Sequence, residues 1–152
     1  MPTPEPSPQH RRLDEVAHRV RDLLHTRIAL VSTFEGGRHY FVGAAGLPPD
    51  LDRAREIPML ESFCTYVHEG GAQLVVDDVR LETRVAAHPL IGELGIRAYA
   101  GWQITDDEGL VVGVLSVLDD RPRAWTAAEL TVLVEQADAC GPDVRALATG
   151  RP

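Results

Sequence analysis

The run from Asp78 to Asp119 reads DVRLETRVAAHPL (78–90), IGELG (91–95), IRAYAGWQIT (96–105), DDEG (106–109) and LVVGVLSVLD (110–119). Two apolar, strand-like runs flank a polar turn, so 96–105 and 110–118 are expected to pair as an antiparallel hairpin. Gly109 closes that turn and suits the positive φ such turns require. Ahead of the hairpin, the segment carrying Asp78, Arg80, Arg84 and Pro89 reads as a loop or short helix that crosses toward it.

Working outward, Ser7-Pro8 marks a helix start, with Ser7 as the cap and Pro8 at the first helical position. Leu13, Val16, Ala17, Val20, Leu23 and Leu24 follow helical spacing, with Arg12, Arg19 and Arg21 opposite, and the helix should end near Thr26. RIALVSTFE (27–35) and HYFVGAA (39–45) read as strands around a Gly-rich turn. Residues 46–58 are rich in Pro and charge, hence a loop with at most one helical turn. Glu61–His68 reads as a short helix stopped by Gly70-Gly71, and 71–78 as a third strand. A last helix opens on a capping box, Thr126 with Glu129, and its apolar face is Leu130, Leu133, Val134, Ala137 and Cys140. Gly141-Pro142 interrupts it, yet Val144, Leu147 and Ala148 keep the phase, which predicts a kinked continuation rather than a stop. The expected organisation is a disordered Pro-rich leader (1–9), one domain (10–148) and a short tail (149–152).

The chain of 152 residues is long enough for one core without metal or disulfide staples. A net charge of −8 argues against a nucleic-acid partner, because neutralising phosphates takes a basic face. All 15 basic residues are Arg, and neither Lys nor Asn occurs. Schiff-base chemistry, a phosphate-loop lysine and a Ser-Lys dyad are thereby excluded. Cys64 and Cys140 lack CxxC spacing and read as free thiols. With no apolar run of ~18 residues and no signal-peptide core, neither a membrane span nor export is expected. The expected location is the cytoplasm.

Taken in order, these features resemble a GAF domain, a sensory module that usually binds a small molecule or mediates dimerisation. The resemblance spans about residues 13–140 and rests on Ser62-Phe63-Cys64 and on the Val75-Val76 strand running into Asp78. Arg84, Pro89, Ile96-Arg97, Tyr99-Ala100-Gly101 and the run Gly113 to Asp119 complete it. It is similar to the bacterial subtype with an SFC element and an R-x-YAG strand. The implied fold is α+β, a GAF/PAS-like antiparallel sheet of about five or six strands. The terminal helices would cover one face, and short helices and loops would form a pocket on the other. Val85 and Trp102-Gln103 depart from the subtype's usual aromatic and its small residue with Pro, which alters the implied pocket. The NKFDE signature of cyclic-nucleotide GAF domains needs Asn and Lys, which this chain lacks. The clustered cysteines of the free methionine sulfoxide reductases are missing, and Cys64-Thr65 is not the Cys-His pair common in bilin-binding relatives.

The pocket candidates are Phe63, Cys64, Asp78, Arg84, Arg97, Tyr99 and Trp102. Cys64 and His68 share a helix face at i,i+4 but supply only half a metal site, so a buried thiol beside an imidazole is the favoured reading. Arg84 and Arg97 suit either an anionic ligand group or a pin to Asp78 or Glu82, the pin being favoured. Tyr99 and Trp102 suit a ligand wall or ordinary core packing, and alternation on their strand puts them on opposite faces. The pairs Asp77-Asp78, Asp106-Asp107 and Asp119-Asp120 read as solvated or capping carboxylates, and the histidines show no ligand motif.

The function expected from the resemblance is a small-molecule-sensing module without catalysis of its own, passing its signal to a protein in trans. No cofactor is named by the residues. A homodimer through the terminal helices is expected beside it. The alternatives are a ligand-free dimerisation and docking module, and a redox sensor or reductase built on Cys64.

Overall fold

Ser7 opens helix α1 (Pro8–Leu24) as its position predicts, its hydroxyl accepting the His10 amide at 3.2 Å. His25 ends the helix in the left-handed region at φ 53°, which stops it just short of Thr26. The computed structural model describes residues 7–35, 38–58, 73–79 and 95–149. The expected helix at Glu61–His68, the Gly36-Gly37 turn and the segment 80–94 lie outside the described residues. Because α1 takes in Pro8 and Gln9, it begins inside the stretch expected as a leader. Leu23, counted with the apolar stripe, is instead exposed, since Val16, Val20 and Leu24 already close the buried side.

Six strands follow: β1 (Ile28–Glu35), β2 (Arg38–Ala45), β3 (Glu56–Pro58), β4 (Gln73–Val76), β5 (Ala98–Thr105) and β6 (Val111–Asp119). They form one antiparallel sheet in the order β3-β2-β1-β6-β5-β4. The chain between β2 and β4 carries more order than its Pro content suggests: a helix α2 (Pro49–Ala54) and then the edge strand β3. Pro58 sits in that strand opposite Arg38, at the rim where a missing amide breaks no inner ladder. The β5–β6 turn is as read, with Gly109 at φ 82° and Asp106 accepting the amides of Glu108 and Leu110, each at 2.9 Å.

The register of β1 on β2 slips once. Val31 pairs with Gly43 and Ser32 with Phe41, leaving Val42 as the extra residue of a bulge. A second slip falls between Ile104 and Thr105 in the β5–β6 pairing.

Helix α3 (Ala127–Thr149) closes the fold, and its capping box is formed, Thr126 and Glu129 exchanging bonds of 3.0 and 3.1 Å. Pro142 lies within α3, and the helix runs through it as predicted. Helices α1 and α3 share one core with the sheet, built on Leu13, Val20, Val31, Leu115, Leu133 and Val144. Space for α1 is made at Gly43, where a side chain would meet the Leu13 carbonyl oxygen at 2.5 Å. The two helices are also tied across their outer sides, Arg12 to Asp143 at 2.6 Å and Arg19 to Gln136 at 3.1 Å. A second core on the opposite sheet face gathers Ile28, Leu30, Phe41, Val79, Ile96 and Tyr99, with Leu47 and Leu51 packed against it.

Arg123, in the link between β6 and α3, joins the elements. Its guanidinium donates to the Leu24 carbonyl at 2.8 Å, the His25 carbonyl at 3.3 Å and Asp119 at 3.2 Å, and it pairs with Glu129. It also lies over the Trp125 ring, 4.6 Å from the centroid, while Trp125 donates to the Val76 carbonyl at 3.0 Å. One cation thus caps the end of α1 and anchors the start of α3. Arg123→Ala is expected to lower unfolding free energy by about 3 kcal/mol in urea titrations, because half-buried carboxylates and helix-end carbonyls lose their donor together. Arg123→Lys should restore only a minor part, since an ammonium cannot serve four acceptors in a plane.

Candidate functional site

The sheet face away from α1 and α3 is the place to look for a site, because it is buried yet carries polar groups. Period two assigns Ser32 of β1, Ser116 of β6 and Gln103 of β5 to this face, the same side as Leu30, Val114, Leu118 and Tyr99. Ser32 and Ser116 are fully buried in the two central strands. His39 of β2 joins them, two residues before Phe41 on the same side. These four residues form a broken polar band across a floor that is otherwise aliphatic and aromatic, with Val114 between Ser32 and Gln103, and Ser116 facing Leu30 and Gly101. Sequence reading missed Ser32, Ser116 and His39 as site residues and marked Gln103 only as a departure that alters the implied pocket. The available signal was a small hydroxyl inside apolar runs that are buried on both faces, where hydroxyls are costly unless hydrogen-bonded.

Tyr99 lies on this floor and is wholly buried. Its ring runs along the strand over Gly101, and a side chain at position 101 would collide with the Tyr99 hydroxyl. That contact is the physical content of the Tyr-x-Gly spacing. Trp102 sits on the opposite face, half-buried against the core shared with the terminal helices, so it does not line the same space as Tyr99. The two were candidates for their large rings, and the opposite faces that strand alternation implied for them are observed.

Asp78 and Arg97 are brought together. Arg97 donates Nε and Nη2 to the two carboxylate oxygens of Asp78 at 3.2 and 3.0 Å. The backbone repeats the link, Val79 donating to the Arg97 carbonyl at 2.7 Å. The pin expected of one arginine is therefore made by Arg97, at the margin of the floor. Phe63, Cys64 and Arg84 lie outside the described residues.

His39 is the most unusual group of the floor. It is 2% exposed, and neither ring nitrogen has a hydrogen-bond partner among the described residues. Its ring lies between Phe34, centroid 4.9 Å away, and Phe41, 4.6 Å away and edge-on. Burial drives its pKa down to about 3, so the imidazole is neutral across the physiological range.

The other chemistry-bearing groups considered among the described residues have structural or capping roles. Cys140 is buried in α3, and desolvation pushes its thiol up to about 12, which leaves no thiolate for nucleophilic work. Asp119 accepts its neighbour's amide at 2.9 Å and pairs with Arg123, a capping role like that of Asp106. Among the described residues no three His, Cys, Asp or Glu side chains converge to hold a metal. Two surface clefts, one lined by Asp106, Glu108, Pro142 and Arg145 and the other by Arg21, Asp22 and His25, are open and lie apart from the floor. No helix among the described residues is long and apolar enough to cross a membrane.

The family model for the GAF domain matches residues 9–142. This chain belongs to the GAF domain family. Its sheet and terminal helices have the same fold as the GAF domain of a phosphoenolpyruvate-protein phosphotransferase from Coxiella burnetii. That structure superposes with a TM-score of 0.78 at 18% identity, over 95% of this chain and 88% of that one. A type II free methionine-R-sulfoxide reductase from Thermoplasma acidophilum superposes with a TM-score of 0.73 at 14% identity, covering 90% and 92% of the two chains. In sequence, this GAF domain is 33% identical over 123 residues to a cyclic di-GMP phosphodiesterase of Pseudomonas aeruginosa. The match takes in 80% of this chain and 20% of that protein.

Two measurements probe the floor of this GAF domain. Because the folded pKa of His39 lies below its unfolded value near 6.5, the unfolded state takes up the extra proton between pH 6.5 and 3. Stability should therefore be unaffected by this group above pH 6.5. It should fall by about 2 kcal/mol by pH 5, and that part of the loss should vanish in His39→Leu when urea midpoints are compared. Gly101→Ala, which forces the Tyr99 ring out of its place, is expected to cost about 1–3 kcal/mol and to change the near-ultraviolet circular dichroism of that tyrosine.

Proposed function

We propose that this chain is a sensory GAF module that holds a small molecule on the sheet face opposite its terminal helices. The GAF family is one of signalling and sensory modules, and the family match supports the general assignment. The observation that carries the finer reading is the polar band of Ser32, Ser116, Gln103 and His39 on a buried floor beside Tyr99. A buried hydroxyl, amide or imidazole costs more than aliphatic surface unless it finds a partner, and a small molecule supplies one. Small-molecule sites have this character, an apolar lining with a few placed polar groups.

Occupancy would act on the terminal helices through the strands common to both faces. β1 and β6 carry Ser32 and Ser116 on one side and Val31 and Leu115, which touch the helix core, on the other. Output then passes to a signalling protein in trans, from a cytoplasmic setting. The phosphodiesterase activity named for the Pseudomonas relative belongs to a protein of which the matched region is a fifth, and we assign this chain the sensing part of such a system rather than the catalysis. Native mass spectrometry of protein purified from its own host should show a retained small molecule. A bare mass, together with no stabilisation across a metabolite library, would refute the reading.

A homodimer through α1 and α3 is a companion proposal. Its support is the half-buried Val134 and the exposed Leu23, which the shared core leaves uncovered. Light scattering at high concentration should give twice the monomer mass, and a strict monomer would remove it.

A further inference from the structure

Resting on that reading of the floor, we infer that His39 is the group that recognises the ligand's polar edge, and that the ligand is an uncharged, planar, ring-sized molecule. The imidazole lies on the sensing face with both nitrogens unpartnered among the described residues. A buried polar group left without a hydrogen bond destabilises the fold, and leucine or phenylalanine at this position would recover that loss. A chain under no other demand has no physical reason to keep a histidine here.

The neighbourhood specifies the ligand's chemistry. Phe34 and Phe41 flank the ring and present aromatic surface that favours a flat partner. The nearest ion pair on these strands, Arg38 with Glu56 at 3.0 Å, stands on residues of the opposite phase, the side of Tyr40. The Arg97–Asp78 pair is self-neutralised at the far end of the sheet, on the β4–β5 side. The neutral imidazole itself supplies no charge to offset the desolvation of a charged ligand group bound at its edge. A neutral imidazole offers one donor and one acceptor, which suits a ring whose edge carries the complementary pair.

The test uses two aromatic probes, quinazolin-4-one as the neutral planar molecule and benzoate as a charged one of similar girth. Long-range proton–nitrogen NMR spectra of the His39 ring are recorded with each, and affinities are measured for wild type, His39→Leu and His39→Phe. Quinazolin-4-one should shift the His39 nitrogens and bind about tenfold more weakly to both variants, whose thermal midpoints stay at or above that of the wild type. Affinity within twofold across the three proteins, perturbation by benzoate alone, or no effect of the neutral probe on the ring overturns the inference. The sensory reading fails separately: a host molecule retained equally by wild type and His39→Leu keeps that reading and removes this one.

Discussion

Every element of this domain is placed by the ladder between β1 and β6. Ile28 to Ser32 pair with Leu118 to Val114, which joins the hairpin β1–β2 to the hairpin β5–β6 across most of the chain. Both strands are buried on both faces, so a slip by one residue would exchange the side chains of the two cores and misfit each. Arg123 secures the end of that ladder. It binds Asp119, the last residue of β6, and the carbonyls that end α1 just before β1 begins. The two terminal helices are thus fixed to the sheet at the point where the two halves of the chain meet.

That arrangement gives the sheet two faces of different character. One is sealed by α1 and α3 with aliphatic packing and a close approach at Gly43. The other keeps Ser32, Ser116, Gln103, Tyr99 and His39 on its floor. Because the same central strands supply both surfaces, no element intervenes between the floor and the helix core. A sensory module needs such contiguity, and here it is a consequence of a single sheet layer rather than of a separate device.

Much of the fold was legible in local patterns. Ser7-Pro8 and Thr126 with Glu129 announced helix starts, Gly109 announced a turn, and strand alternation gave five of the six strands. These signals act over a few residues, where capping bonds and φ preferences dominate. β3 was not legible, since three residues containing Pro acquire strand character only by pairing with β2. The site was less legible than the fold. Asp78 and Arg97 were named for a pairing that exists, but Trp102 was named with Tyr99 although the sheet holds them on opposite sides. His39, Ser32 and Ser116 passed unnoticed, because a buried polar residue looks like a loop residue until its burial is known.

The amino-acid order alone carried the resemblance that names the family, and by spacing and residue type it determined the starts of the two terminal helices, the antiparallel hairpins and the exclusion of lysine chemistry. Tertiary structure alone decided which face each strand residue serves. The bulge at Val42 shifts the phase of β2 by one residue, so His39 and Phe41 face away from the helices while Tyr40 turns to them. Without that slip the alternation from Ala44 would have reversed them. A one-residue irregularity in pairing is set by how two distant strands fit together, and no local pattern in either strand records it.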